Sequence, residues 1–151
     1  MMADNWPAID RIIPAEHLRR YASISKIKYD QQKQDLSHQA HILLEEQKRK
    51  FLEEEYLERE FEALEVKILD AAKHGNYDIE VLRFNAAFCS DGGRAINNSE
   101  KDWPATLQGK AKNFHEIWKR HGQPKGYRMM AKIVSFPKGF MGDVSLYVDW
   151  S

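Results

Sequence analysis

Counting in sevens from Ala22 lands on Tyr29, Leu36, Leu43, Lys50, Leu57, Leu64 and Ala71. Four places after Leu36, Leu57 and Leu64 stand Ala40, Phe61 and Ile68, so Leu57-Phe61-Leu64-Ile68 is a 4-3-4 apolar seam with Leu36-Ala40-Leu43 in phase with it. That spacing draws a stripe along one side of a helix, the geometry by which helices bury a shared face. Gln47, Lys50 and Glu54 interrupt the stripe, while Phe51, Leu52 and Tyr56 fall off it and mark a second contact face. After residue 75 the pattern changes to short runs with period two. The sharpest is the last, where Val144, Leu146, Val148 and Trp150 alternate with Asp143, Ser145, Tyr147 and Asp149. Such alternation predicts a strand with one buried face.

The distribution of helix breakers supports the same division. All eight glycines lie beyond residue 74, and no proline occurs between Pro14 and Pro104. Pro14 with Glu16 suits a helix start, and Gly75 after Lys73-His74 suits its end. The sequence therefore predicts a tail over 1–14, a helical arm over 15–75 and a small α+β domain over 76–151. A continuous arm would be about 90 Å long, which demands a partner helix or many ion pairs. A coiled coil and a helical hairpin bent at Asp35-Leu36-Ser37-His38 both satisfy the pattern.

In the second half, Asp78–Phe84 reads as a first strand and Asn85 as the cap of a short helix. Asp102-Trp103-Pro104 opens a second helix, whose Leu107, Ala111, Phe114 and Trp118 repeat the 4-3-4 spacing up to Gly122. Tyr127–Phe136 and Asp143–Trp150 are the remaining strands. The order is β-α-α-β-β, with an antiparallel C-terminal hairpin.

Charge adds little drive toward any one ligand class. Residues 1–76 carry 12 basic and 15 acidic side chains, and residues 77–151 carry 11 and 8. Neither half has the basic surplus of a dedicated nucleic-acid binder. Lys48-Arg49-Lys50 precede a glutamate-rich stretch, and such blocks favour antiparallel or staggered pairing over parallel pairing, unless they merely form a solvated face. A single cysteine, Cys89, excludes an intrachain disulfide and fits a reducing compartment. No apolar run approaches the roughly 18 residues of a membrane span. A cytoplasmic setting without membrane partners is the expectation.

Phe88-Cys89-Ser90-Asp91-Gly92-Gly93-Arg94-Ala95-Ile96-Asn97-Asn98, then Trp103-Pro104-Ala105-Thr106-Leu107, then Phe136-Pro137-Lys138-Gly139 with Gly142-Asp143, resemble a group of small uncharacterised bacterial proteins. The resemblance covers Phe84–Trp150 and implies a bacterial, cytosolic module with no attached chemistry.

Several residues are candidates for chemistry, each beside a plainer role. Gly92, Gly93 and Arg94 can bind an anion through exposed N–H groups and a guanidinium, or the glycines can serve backbone geometry alone. They lack the lysine of a phosphate-binding loop. Cys89 with His115 is a formal nucleophile–base pair without a flanking signature; a packed thiol is the simpler account. His38 and His41 have helical i, i+3 spacing but no supporting ligand, so no metal and no cofactor is assigned. Lys112, Lys119, Arg120 and Arg128, with Lys110, Lys125, Lys132 and Lys138, are the nucleic-acid contact candidates, with Trp103 and Tyr127 for stacking. Arg128 and Lys132 equally suit the wet side of an edge strand. Trp118 and Trp150 fall on core faces, whereas Trp6, Phe140 and Met141 offer exposed docking groups.

From sequence, then, the leading reading is a non-enzymatic interaction protein. Its arm buries Leu57, Phe61, Leu64 and Ile68 against a second copy or a partner helix, and its head docks a macromolecule through Phe140 and Met141. A homodimer is expected. A nucleic-acid-associated regulator and a phosphate- or small-ligand enzyme centred on Asp91–Arg94 are the alternatives.

Overall fold

The computed structural model describes residues 11–151; the Trp6 contact anticipated in the tail lies outside them. The chain divides into two units, one ending at Glu45 and one comprising Glu46–Ser151. The fold is α+β, with a long N-terminal helix followed by a three-stranded antiparallel sheet and its helices.

Among its described residues the first unit is helical from Ala15 onward. Helix α1 runs Ala15–Glu53 over 39 residues, with Glu16 in its first turn, and crosses the boundary between the units. It passes through Asp35–His38 without interruption, which removes the hairpin bent there. A side chain able to cap a helix does not end one when its neighbours are good helix formers.

The second unit begins thirty residues earlier than the sequence boundary at 76. The last turn of α1 belongs to its core, with the Phe51 ring 5.1 Å from Phe84 and 5.2 Å from Phe88. Regular helix then stops, and α2 starts at Glu58 and runs to Lys73. No glycine or proline marks this break. Tertiary contacts hold it. The Tyr56 N–H donates to Asn113 Oδ1 at 2.6 Å, and the Leu57 N–H donates to Glu60 Oε2 at 2.8 Å. The buried Tyr56 ring meets Phe114 edge-on at 4.7 Å. Gly75, in the left-handed conformation at φ +84°, closes the element as the sequence indicated.

Strand β1 (Asp78–Asn85) leads into a single 3-10 turn over Ala86–Phe88, where Asn85 Oδ1 accepts from the Ala87 N–H at 2.9 Å. Helix α3 is only Arg94–Asn97, and α4 spans Gly109–His121. Asp102-Trp103-Pro104 start no helix of their own beyond a 3-10 turn, Trp103–Thr106. Strands β2 (Arg128–Ile133) and β3 (Asp143–Asp149) form the C-terminal hairpin.

The sheet order is β1-β3-β2, both pairings antiparallel, with a bulge in β1 between Glu80 and Leu82. Register puts Ile79, Leu82 and Phe84 beside Val148, Leu146 and Val144, and these beside Met129, Ala131 and Ile133. That face carries the core. Leu64 of α2 and Phe114 of α4 close over Met129 and Val148, with Phe61, Ile68 and Trp118 around them. Each large side chain buried this way stabilises by roughly 1.5–3 kcal/mol.

The opposite face is polar. Ser145 Oγ donates to Glu80 Oε2 at 2.7 Å, and Arg83 Nη2 donates to the same oxygen at 3.0 Å. Lys132 Nζ sits 5.2 Å from the Tyr147 ring centre, and Arg128 pairs with Asp149 at 3.2 Å. These bonds hold the Glu80 carboxyl below its ordinary range, the Arg83 bond first and Ser145 next.

Candidate functional site

The seam Leu57-Phe61-Leu64-Ile68 packs within its own unit over most of its length. Leu64 is 5% exposed, and Phe61 and Ile68 pack against the core that includes it. Leu57, at the break, is 44% exposed. The stripe is covered, but by the chain's own sheet and α4. Of the off-seam residues assigned to a second contact face, Tyr56 belongs to that same core and Phe51 packs on Phe84 and Phe88.

The first half of the seven-residue series has the opposite environment. Every described residue from Arg11 to Leu43 is exposed. On this stretch Ala22, Tyr29, Leu36 and Leu43 recur at intervals of seven, with Leu18 four places ahead of Ala22 and Ala40 four places after Leu36. Tyr29 is 65% exposed and Leu36 67%. Among the described residues no ion pair joins two side chains of this segment. A helix of this kind has neither core burial nor a lattice of ion pairs, and helices in water draw most of their stability from a packed apolar face.

The basic candidates do not form one footprint. Lys112, Lys119 and Arg120 are exposed on α4, with Glu116 on the same side of the helix. Arg128 points from the polar face of the sheet, away from the face that α4 covers, and is paired with Asp149. Lys110 is only 17% exposed; it donates to Glu60 Oε1 at 2.7 Å and lies 3.9 Å from Glu54. It fastens α4 to the start of α2. Trp103 stacks edge-on with His115, and Tyr127 with Trp150.

The anion site at Gly92, Gly93 and Arg94 is already filled by the protein itself. Asp91 Oδ1 accepts from the Gly93 N–H at 2.9 Å, and Oδ2 accepts from the Ala95 N–H at 2.8 Å. The aspartate carboxylate occupies the place an anion would take, and it repels one from outside. Both glycines take positive φ, and a methyl on Gly93 would lie 2.9 Å from the Ala86 Cβ. Backbone geometry explains them. Arg94 is exposed and, among the described residues, makes no ion pair.

Cys89 is buried, and its thiol is pushed up to about 11, chiefly by burial and then by the Asp91 charge. A thiol held protonated at neutral pH is a poor nucleophile. No hydrogen bond joins it to His115, whose ring sits 5.5 Å from Trp118 and whose basicity is lowered chiefly by burial. His38 and His41 are exposed, and among the described residues no three metal-binding side chains cluster.

In the loop between β2 and β3, Phe140 is 76% exposed and Phe136 53%. Met141 is half-buried. The next residue, Gly142, is buried; its N–H donates to the Ser135 carbonyl at 2.9 Å, and its carbonyl accepts from the Ala86 N–H at 2.8 Å. One apolar side chain of the expected pair is thus free, and a second, Phe136, joins it.

A cleft of about 140 Å³ lies between α2 and α4, floored by Phe61, Leu64, Phe114 and Val148. Trp118 also lines it, yet its Nε1 is buried without a partner and the pyrrole edge is packed against Gly122. Glu65, His121, Lys125 and Tyr127 also line it. Among the described residues no helix is long and apolar enough to cross a membrane.

Comparison of the chain with protein-family models, with curated proteins and with solved structures gave no match to any of them.

Proposed function

We propose that this protein is a non-enzymatic assembly protein whose α1 arm pairs with the arm of a second copy to form a homodimer. One observation carries the reading: an exposed apolar line, Leu18, Ala22, Tyr29, Leu36, Ala40 and Leu43, on a helix without internal ion pairs. Burying it removes leucine and tyrosine surface from water, at roughly 25 cal/mol per Å² of apolar area. The head serves as the docking element, through Phe136 and Phe140 on the β2–β3 loop. The lone buried Cys89 suits a cytoplasmic setting.

Light scattering on the full chain tests the proposal. A homodimer is expected, converting to monomer when Leu36 and Leu43 are both replaced by Asp while the thermal transition of the head stays in place. A full chain that remains monomeric at the highest attainable concentration overturns it.

A further inference from the structure

Helix α4 stops at His121, a 3-10 turn over Gln123–Lys125 follows, and Gly126, at φ +94°, swings the chain toward β2. This stop and tight turn gather His121, Lys125 and Tyr127 at the cleft between α2 and α4, to which α2 contributes Glu65. Gly122 keeps the end of α4 low: a methyl there would stand 2.8 Å from Trp118 Cδ1. Beneath these residues the cleft is apolar, with Phe61, Leu64 and Phe114 at its floor. It runs into a wider trough of about 600 Å³ that shares Glu65, Ile68, Lys125 and Tyr127 with it. Both lie within Glu46–Ser151 and do not depend on how the arm associates.

Two properties of this cleft select a ligand. The first is size. A volume of about 140 Å³ is close to the roughly 150 Å³ of an apolar protein cavity that holds one benzene. The floor therefore accepts a single six-membered ring. The second is charge. Glu65 and Lys125 line the same opening, yet among the described residues neither makes an ion pair with the other or with any side chain. A carboxylic acid with no second charge meets attraction from Lys125 and repulsion from Glu65, and an amine meets the reverse. A molecule bearing both charges answers both groups. An α-amino acid carries its ammonium and carboxylate on one carbon, so both stay at the opening while the side chain enters.

We propose that this cleft binds a free α-amino acid with a single aromatic ring. The ring lies on Phe61, Leu64 and Phe114, the carboxylate faces Lys125 and the ammonium faces Glu65. Such binding is a function of the head, separate from the assembly proposed for the arm.

Titration of the isotope-labelled full chain with L-phenylalanine, phenylpropionate and phenethylamine, followed by nuclear magnetic resonance, tests it. L-Phenylalanine is expected to shift the amide signals of Gly122 and Gly126 and the Trp118 indole N–H saturably, with a Kd of about 0.1–1 mM for a ligand of this size. Each singly charged analogue should bind about threefold or more weakly. Lys125→Ala should weaken L-phenylalanine about two- to fivefold without weakening phenethylamine. Glu65→Gln should weaken it by the same measure without weakening phenylpropionate. Both positions are exposed, so the urea transition of the head should stay in place. Either analogue binding as tightly as L-phenylalanine overturns the assignment of an amino acid. The absence of a saturable shift at these three signals, with every probe taken to its solubility limit, overturns the site whether or not the chain dimerises.

Discussion

Residues 18–43 and residues 57–71 belong to one seven-residue series, yet α2 spends its apolar stripe inside its own unit and α1 displays its stripe. The difference lies in density. In α2 consecutive seam positions are Phe61, Leu64 and Ile68, all bulky, and they close on Phe114 and Val148. In α1 the matching positions, four places after Ala22, Tyr29, Leu36 and Leu43, are Lys26, Lys33, Ala40 and Gln47. A dense stripe can close on a sheet; a stripe interrupted by lysines and glutamine cannot be buried in the same way. Heptad spacing declares that a face must be covered. It leaves the covering element undetermined.

The strongest way to break this comparison is at its dense end. Phe114→Ala should destabilise the head by about 3–5 kcal/mol, read by urea denaturation, because that ring contacts Tyr56 and completes the core around Leu64. The direct test pairs Leu64→Ala with Leu36→Ala. The first should cost about 2–5 kcal/mol of head stability, the second less than about 0.5, while weakening the dimer. Equal losses would abolish the distinction between the two halves.

A subtler test addresses the break between the helices. Asn113→Ala leaves the Tyr56 N–H without its acceptor and should cost about 1–3 kcal/mol, measured in the same denaturation series. The smallest effect is a pH dependence. Burial pushes the Glu60 carboxyl up, but the Leu57 N–H and Lys110 outweigh it and hold the group below its ordinary range. A lowered value in the folded state means that its stabilisation is complete above the unfolded value of about 4.3 and fades as pH falls through the folded value. Head stability should therefore drop on acidification, and Glu60→Gln should flatten that part of the profile.

Much of the fold was legible because local signals agreed with tertiary ones. The alternation of Val144, Leu146 and Val148, the Asn85 cap, the Gly122 stop and the 4-3-4 run through Phe114 each settle in place. The break before Glu58 was not, since Glu53–Leu57 holds no glycine or proline. Its partners, Asn113 and Lys110, sit fifty or more residues away. Phe51 and Tyr56, off the heptad line, were the one local sign of a turn into a core. For the proposed arm surface, Ala22, Tyr29, Leu36, Ala40 and Leu43 were legible as a line in the sequence and Leu18 was not, and the sequence weighted the denser end. Asp91 beside Gly92-Gly93 looked like part of a ligand loop; a carboxylate accepting from the N–H two residues on satisfies such a loop from within.

The strand order has a consequence for how the protein comes into being. β3 is the middle strand, so β1 has no neighbour until residue 143 exists, nearly sixty residues after β1 ends at Asn85. At translation speeds of about 5–20 residues per second, that interval lasts roughly 3–12 s. During it the arm, whose bonds are all local, is free to fold while the sheet still lacks its centre. Under the proposed self-association, pairing of copies can therefore precede completion of the domain each copy carries.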